Sequence, residues 1–388
     1  MNDVEHSGQD LDEILVSRAY LSAVAEAPAP ALVRFIAERG VREVAERVHR
    51  DSHLPRRVAD EVEARRAQVS GKDLLDVAES VGARLVVPEH REWPGETLSC
   101  FSDAAEIGMV GLDEPLALWV RGRAPVAEVL ANAVAVVGTR AASGYGEQVA
   151  TEFGNSLASH GFTVVSGAAY GIDGAAHRGA LSAERPTVAF LACGLDRDYP
   201  AGHGRLLHAI SERGLVISEY APGVGPRKHR FLVRNRLIAA AGRGTVVVEA
   251  GARSGAGNTA GTAERLGRPV MALPGPITAV HSVGCHEMVR SGKALLVTTP
   301  EQVLEMITPL GRGPVEEVSA PQRVTDELDP VAQRVHDALR ERDGVSAEEL
   351  AQDSGLPLRK VRASLPALEM SGLVLRKEDG WHRAPHRR

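Results

Sequence analysis

Aromatic residues and cysteines are scarce in this sequence. Phe, Trp and Tyr make up 4% of the 388 residues, whereas Ala, Gly and Val are abundant, as in many globular proteins. The three cysteines, Cys100, Cys193 and Cys285, lie far apart and form no C-x-x-C pair. A zinc site or a disulfide framework is therefore not expected, and we predict a protein of the reducing cytoplasm without a bound metal.

Long apolar runs and common nucleotide-binding signatures are absent too. No stretch of about 18 apolar residues occurs, and the first residues are polar and acidic, so we expect neither a membrane span nor a signal peptide. The pattern G-x-x-x-x-G-K-[ST] is missing, which excludes a P-loop ATPase. We predict a protein that needs no cofactor and does not contact a membrane.

Negative charge dominates the chain, with one local exception. The formal net charge is −6, so any polynucleotide site must be a positive cleft in a negative body. Residues 227–236, RKHRFLVRNR, carry five fixed positive charges, one histidine, one aromatic ring and no acid. Guanidinium and ammonium groups neutralise phosphates, and a ring offers its face to a base. The same pattern is equally typical of a solvated basic helix start.

The order of the local patterns predicts an α/β protein. Residues 10–82 show apolar residues at helical spacing, and short apolar runs at 85–87 and 118–120 are candidate strands. From Ala133 onward, β-branched runs alternate with helix-length segments, which indicates a parallel sheet covered on both faces. Ligands of such sheets bind beyond the carboxyl ends of the strands. The predicted strands are 134–137, 162–165, 187–191, 215–217, 245–248, 270–273 and 294–297.

The C-terminal part has a different pattern. Residues 309–329 are rich in Pro, Gly and acids, which suits a linker. Three helices and a hairpin follow, and together they predict a winged helix. The helices are expected at 330–342, from a capping box at Ser346 to Gly355, and at 358–371, with the hairpin around Asp379 and Gly380. Residues 330–388 carry eleven Lys and Arg against nine Asp and Glu, so this module suits DNA reading and protein docking about equally.

Small and polar residues fill three loops at predicted strand ends. Gly138, Thr139 and Arg140 follow the first strand of the parallel sheet, where backbone N–H groups and a guanidinium group suit a phosphate. The spacing is not G-x-G-x-x-G, and the next strand ends in Ser166 rather than in an acid, which argues against a dinucleotide. The third loop, residues 249–260, suits an anion or a flexible connection.

Two groups with catalytic potential are interpreted as structural. We expect Asp173 to cap the helix after the second strand and to form a hydrogen bond with His177 one turn later. No nucleophile or metal-ligand set accompanies this pair, as acid–base catalysis would require. Cys285 also lacks a supporting pattern, so packing is its expected role.

At these motifs the chain resembles the DNA-processing protein A family, also called DprA or Smf. The resemblance covers roughly residues 84–307 and depends on the order and spacing of VVGTRAASGYG, SGAAYGID, GLDRDYP, SEY, FLVRNR, VVVEAGARSGAGNTA and ALPGPI. It implies an extended Rossmann-like parallel sheet with helical and winged-helix domains on either side. The implied domains are a helical (SAM-like) domain at 1–83, the Rossmann-like domain at 84–308, a linker at 309–329 and a winged helix at 330–388.

The resemblance implies a binding protein rather than an enzyme. Members of the family bind single-stranded DNA, protect it, and hand it to the RecA recombinase during natural transformation. They tend to dimerise through the Rossmann-like domain, and no catalytic residue is generally ascribed to them. The implied partners are therefore single-stranded DNA bound without regard to sequence, RecA, and a second copy of the chain.

The resemblance also implies a DNA-binding site, motif by motif. Arg140 is expected to contact phosphate, and Phe231 to stack on bases or shape the groove. Three positions depart from the family pattern: Leu232 replaces a proline, Ala168 a leucine and Cys285 an asparagine. The expected binding residues are Gly138, Thr139, Arg140, Ser166, Gly167, Lys228, Phe231, Arg234, Asn235, Arg236, Ser254, Gly255 and Thr259.

Two other classes of function stay open. Nucleotide-processing enzymes of the phosphoribohydrolase type have a related Rossmann-like fold and a P-G-G-x-G-T-x-x-E loop with a working glutamate. Residues 257–264 match part of this loop but lack its Pro-Gly-Gly start. A transcription regulator would read duplex DNA with the winged helix and use the central domain as a sensor, but the near-neutral charge of residues 330–388 argues against it.

Overall fold

The structure is a computed structural model, and it divides into two compact units, Met1–Val315 and Glu316–Arg388. The residues that it describes are 8–308, 328–340 and 343–384. Nearly all of the predicted linker at 309–329 lies outside these residues.

A sheet of nine strands forms the centre of the first unit. Its strands are β1 (Ala83–Val86), β2 (Leu118–Arg121), β3 (Ala133–Val137), β4 (Thr163–Ser166), β5 (Thr187–Leu191), β6 (Leu215–Ser218), β7 (Thr245–Val247), β8 (Val270–Ala272) and β9 (Leu295–Leu296). They lie in the order β1-β2-β6-β5-β4-β3-β7-β8-β9. The strands from β3 to β9 pair in parallel, which confirms the predicted sheet. β1 and β2 extend the sheet in the antiparallel sense.

Helices precede the sheet and cover both of its faces. Before β1 lie α1 (Gly8–Val24), α2 (Pro30–Arg39), α3 (Val41–Arg50), α4 (Arg56–Val62) and α5 (Gly71–Ser80). Later in this unit come α6 (Gly95–Leu98), α7 (Cys100–Glu106), α8 (Val126–Leu130), α9 (Gly144–Ser159), α10 (Ile172–Ser182), α11 (Gly204–Arg213), α12 (Lys228–Ala241), α13 (Gly255–Arg265), α14 (Val283–Arg290) and α15 (Pro300–Ile307). Within the described ranges, no helix combines the length and the apolar character needed to cross a membrane.

Successive residues of β3 face opposite helical layers. Val134 and Val136 belong to the core that contains residues of α9 and α10, whereas Ala135 and Val137 belong to the core with α12 and α13. All residues of β3 are buried, as expected for a strand covered on both faces. The chain places β4, β5 and β6 on one side of β3 and β7, β8 and β9 on the other. The carboxyl ends of β3 and β7 therefore flank a crevice of the kind that binds ligands in doubly wound sheets.

The N-terminal helices share a core with the sheet. Leu32 of α2 and Val48 of α3 are fully buried in the same apolar cluster as Leu191 of β5 and Leu207 of α11. Because apolar burial is the main favourable term in folding, this cluster fixes the helices α1 to α5 against the edge of the sheet.

One carboxylate ties the N-terminal helices to the start of α12. Glu26 accepts hydrogen bonds from Arg230, from Nε at 2.6 Å and from a terminal nitrogen at 2.9 Å, and it also pairs with Arg65. His229 Nε2 lies 3.1 Å from the same carboxylate. Burial by itself would raise the pKa of Glu26, but hydrogen bonds from Arg230, Arg65 and His229 lower it to about 2. Glu26 is therefore ionised at neutral pH.

The second unit is a winged helix, as predicted. It contains α16 (Pro330–Asp337), α17 (Ala347–Ser354), α18 (Leu358–Met370) and the antiparallel hairpin of β10 (Val374–Lys377) and β11 (Gly380–Arg383). The capping box at Ser346 is confirmed, since its side chain accepts from the Glu349 backbone N–H and the Glu349 carboxylate accepts in return. Gly355 ends α17 with a φ of 64°, as expected for a left-handed cap. α16 ends at Asp337, five residues before the predicted end at residue 342.

Candidate nucleic-acid interface

A cavity of about 720 Å³ opens at the carboxyl ends of β3, β4 and β7. It is lined by the loops after these strands, by residues of α12 and α13, and by Tyr199 after β5 and His281 after β8. Ten of the thirteen predicted site residues line it, namely Gly138, Thr139, Arg140, Lys228, Phe231, Arg234, Asn235, Ser254, Gly255 and Thr259. The structure thus brings together residues that lie more than 100 positions apart in the sequence.

Gly171 lets two of these loops approach each other. It precedes α10 with a φ of 72°, a left-handed conformation that favours glycine. A Cβ atom at this position would lie 2.7 Å from the carbonyl oxygen of Arg140. The loop after β4 can therefore pack against the loop after β3 only without a side chain here.

Two aromatic rings and a guanidinium group form a row along the cavity. The Arg140 guanidinium carbon lies 5.0 Å from the centre of the Phe231 ring, which places the cation over the ring face. The Phe231 ring lies 5.4 Å from the Tyr199 ring, at an angle of 44°. Tyr199 also lines the cavity, although it is not among the site residues predicted from the sequence. Its signal was the aromatic residue in the GLDRDYP motif.

Arg234 and Asn235 form the floor of the cavity rather than its rim. Arg234 is buried and donates to the carbonyl oxygens of Gly167, at 3.0 Å, and of Phe190. Asn235 donates to the side-chain oxygen of Asn258 in α13 at 3.1 Å. Burial lowers the pKa of Arg234 to about 10, with the charge of Asp173 opposing the shift. Arg234 therefore remains cationic at neutral pH and adds a fixed positive charge beneath the cavity.

A carboxylate occupies the N-terminus of α9, next to the loop after β3. Glu249 accepts from the Ser143 backbone N–H at 3.0 Å and from the Ser143 hydroxyl at 2.5 Å, and its carbonyl accepts from Thr139 N–H at 2.8 Å. Glu249 thus satisfies two of the backbone N–H groups in this region, those of Thr139 and Ser143, and a phosphate cradle after β3 stays a prediction. In dinucleotide-binding folds the pyrophosphate binds at this first helix, and here the carboxylate would repel it.

The first turn of α13 also faces the cavity. Ser254 is the N-cap of this helix and accepts from the Gly257 backbone N–H at 3.3 Å. Ser254, Gly255 and Thr259 all line the cavity, as does Lys228 at the start of α12. Two helix N-termini, each the positive end of a helix dipole, therefore contribute to one cavity.

Three predicted site residues do not line the cavity. Ser166 is buried and donates to the carbonyl oxygen of Val136 at 2.6 Å, and Gly167 contributes the carbonyl that holds Arg234. Arg236 is also buried and donates to Glu219 at 2.7 Å. Positions 234 and 236 are two residues apart on α12 and so project in nearly opposite directions. These residues support the walls, and the wider assignment of DNA contacts stays a prediction.

The expected pair of Asp173 and His177 is wrong. Gly171 is the N-cap of α10, and Asp173 instead accepts from the Gly167 backbone N–H at 3.1 Å. His177 Nδ1 lies 2.7 Å from the Thr187 hydroxyl, and burial lowers its pKa to about 3. Both groups hold strand ends in place.

Cys285 is buried in the core, which confirms its predicted packing role.

Comparison with known proteins agrees with this architecture. The sequence model of the DNA recombination-mediator protein A family matches residues 84–308, and that of the DprA winged helix domain matches residues 319–380. The chain belongs to the DNA recombination-mediator protein A family. Its winged helix and its parallel sheet are therefore those of a DprA-type protein.

Relatives of the family align over most of the chain. A DprA protein of Mycobacterium tuberculosis is 44% identical over 363 residues, which cover 94% of this chain and 92% of the relative. The Smf protein of Escherichia coli is 37% identical over 278 residues, covering 70% of this chain and 72% of the relative. The X-ray structure of Streptococcus pneumoniae DprA superposes with a TM-score of 0.58 at 28% identity, covering 78% of this chain and 98% of that one.

We expect Arg236→Ala to destabilise the protein. The change leaves the Glu219 carboxylate buried without its partner, and an uncompensated buried charge typically costs about 3–5 kcal/mol. The free energy of unfolding in urea measures the loss. Arg290→Ala is the control, because Arg290 pairs with Glu287 at 2.6 Å on the surface, where a pair contributes less than about 1 kcal/mol. Equal losses for the two variants would contradict a structural role for the buried pair.

Proposed function

We propose that this chain binds single-stranded DNA without regard to sequence, protects it, and passes it to the RecA recombinase. The binding is a cytoplasmic activity without chemical turnover. We assign it to the domain of residues 84–308, with the helical domain of residues 1–83 before it and the winged helix of residues 330–388 after the linker. The observation that carries this proposal is the row of Arg140, Phe231 and Tyr199 along one positively charged cavity.

Charge supports the choice of a polyanionic ligand. Four exposed cationic side chains from three loops or helix starts surround the cavity: Arg140, Arg227, Lys228 and Arg253. Asp173 is the one acid among the residues that line it, and the buried cation of Arg234 lies beside it. The chain as a whole has a net charge of −6, so this cavity is a local positive site. It attracts phosphates to itself rather than to the rest of the surface.

The rings support a single strand rather than a duplex. Phe231 and Tyr199 are half-buried, so each is held by its surroundings while part of the ring is open to the cavity. The faces of unpaired bases can stack on such rings, whereas the bases of a duplex are already stacked on one another. Every base has such a face, and phosphate contacts carry no sequence information, so this arrangement binds without sequence preference.

We expect Arg140→Ala and Phe231→Ala to weaken DNA binding in different ways. Loss of one phosphate contact by Arg140→Ala should flatten the plot of log affinity against log salt by about 0.7, as found for single strands. Loss of one stacked base by Phe231→Ala should cost about 1–3 kcal/mol and leave the slope unchanged. Fluorescence anisotropy of a labelled oligothymidylate over a salt series measures both effects.

The control for this series is Arg290→Ala, which removes an arginine from the surface of α14. It should bind like the parent protein, and a duplex of the same length should bind more weakly than the single strand. Parent-like affinity and slope for both cavity variants would place the binding site elsewhere.

We further propose RecA as the protein partner. Support comes from the family to which the chain belongs, whose description is that of a recombination mediator. A mediator must hold a strand and release it to the recombinase. The test is the rate of RecA filament nucleation on single-stranded DNA covered by a single-strand-binding protein. The parent protein should shorten the lag, Arg140→Ala should shorten it less, and an unchanged lag with the parent would contradict the proposal.

We also propose that two copies pair through the Rossmann-like domain. β9 is the last strand of the sheet, and its Leu295 and Leu296 side chains are 50% and 54% exposed. A sheet edge with exposed apolar side chains is a template for pairing with an identical edge about a two-fold axis.

We expect Leu295→Lys to convert a dimer into a monomer, since a charged side chain on an edge strand opposes pairing. Sedimentation equilibrium measures the change in mass. Val77→Lys is the matched control, because Val77 is 43% exposed on α5, and it should leave the dimer intact. A monomeric parent, or equal dissociation of both variants, would contradict this interface.

A further inference from the structure

A second, smaller cavity lies next to the start of α12. Its volume is about 320 Å³, and its walls come from α1, α5, α12 and the loops after α4 and β6. Arg65, Arg227 and Arg230 line it together with apolar side chains, and none of its lining residues, all within the described ranges, is acidic. Arg227 lines both this cavity and the larger one, so the two are neighbours on the surface.

Positive charges outnumber negative charges beside this cavity. Glu26 pairs with both Arg65 and Arg230, but a single carboxylate cannot neutralise two guanidinium groups. Arg227 is exposed and adds a third guanidinium group. Arg230 is further oriented by donating to the carbonyl oxygen of Gly225 at 2.5 Å. Arg65 and Arg230 are therefore held in fixed positions. Because these side chains are already ordered, binding a phosphate costs less side-chain entropy.

We propose that this cavity is a second subsite for the phosphate backbone of the same single strand. The inference rests on the proposed function and specifies the path of the DNA. The strand leaves the row of Arg140, Phe231 and Tyr199, passes Arg227, and continues to Arg65 on the N-terminal helical domain. The helical domain thereby takes part in binding, which no feature of its sequence indicated.

Glu26 is a positioning residue of this subsite, and its charge lowers the affinity of the subsite for DNA. It holds Arg65 and Arg230 in place, but its negative charge also reduces the attraction of the subsite for phosphate. Removal of Arg65 and removal of the Glu26 charge both break the same ion pair. The first change makes the subsite less positive and the second makes it more positive. Opposite effects on DNA binding would therefore indicate an electrostatic role of the cluster, and equal effects a structural role.

The test is a ladder of labelled oligothymidylates of increasing length, each titrated over a salt series. For long oligomers Arg65→Gln should weaken binding about fivefold to tenfold and flatten the salt slope by about 0.7, because one phosphate contact is lost. The shortest oligomers occupy the first cavity alone, so they should bind the Arg65→Gln variant as tightly as they bind the parent protein. Glu26→Gln should tighten the binding of long oligomers severalfold and steepen the slope.

Arg42→Gln is the matched control. Arg42 also pairs with a carboxylate of the N-terminal helices, Glu13 at 2.8 Å, but lines neither cavity. If Arg65→Gln and Arg42→Gln behave alike at every length, the second subsite is wrong although the proposed function stands. If Arg65→Gln and Glu26→Gln both weaken binding, the cluster is purely structural and the inference is again overturned. If the parent binds no single strand, the proposed function itself fails.

Discussion

The structure of the site depends on one buried cation. Arg234 lies inside the protein, where a charge is stable only with partners, and it finds them in the carbonyl oxygens at the ends of β4 and β5 and in the nearby charge of Asp173. The adjacent Asn235 extends this connection to α13. α12 is thereby fixed across the carboxyl edge of the sheet. The position of Phe231, one turn earlier on the same helix, follows from that constraint.

The other charged residues of the stretch 227–236 have separate roles. Lys228 and the exposed Arg227 line the cavity, Arg230 joins the N-terminal helices through Glu26, and Arg236 is buried against Glu219. A solvated basic helix start, the alternative interpretation of residues 227–236, does not describe this stretch, because three of its four arginines, Arg230, Arg234 and Arg236, have protein partners. The density of positive charge in the sequence reflects support of the fold as well as attraction of a polyanion.

Glu249 explains why a Rossmann-like sheet here suits a polymer better than a dinucleotide. Its carboxylate fills the N-terminus of α9, where such folds place a pyrophosphate. The available positive groups lie instead at the starts of α12 and α13 and on Arg140. They line one cavity, and in the function that we propose a strand runs along it and its bases stack on the aromatic rings.

The sequence by itself determined the parallel sheet, the winged helix and ten of the residues that line the cavity. Apolar runs with small residues at their ends, and a capping box such as that of Ser346, are local signals that survive without tertiary information. Tertiary structure alone decided the antiparallel edge of β1 and β2, the contact of Tyr199 with Phe231, and the burial of Arg236. A one-dimensional pattern gives neither the partner of a strand nor the direction of a side chain, since both depend on elements far away in the chain. An arginine that binds a phosphate and one that neutralises a buried glutamate look the same until the fold brings the glutamate to it.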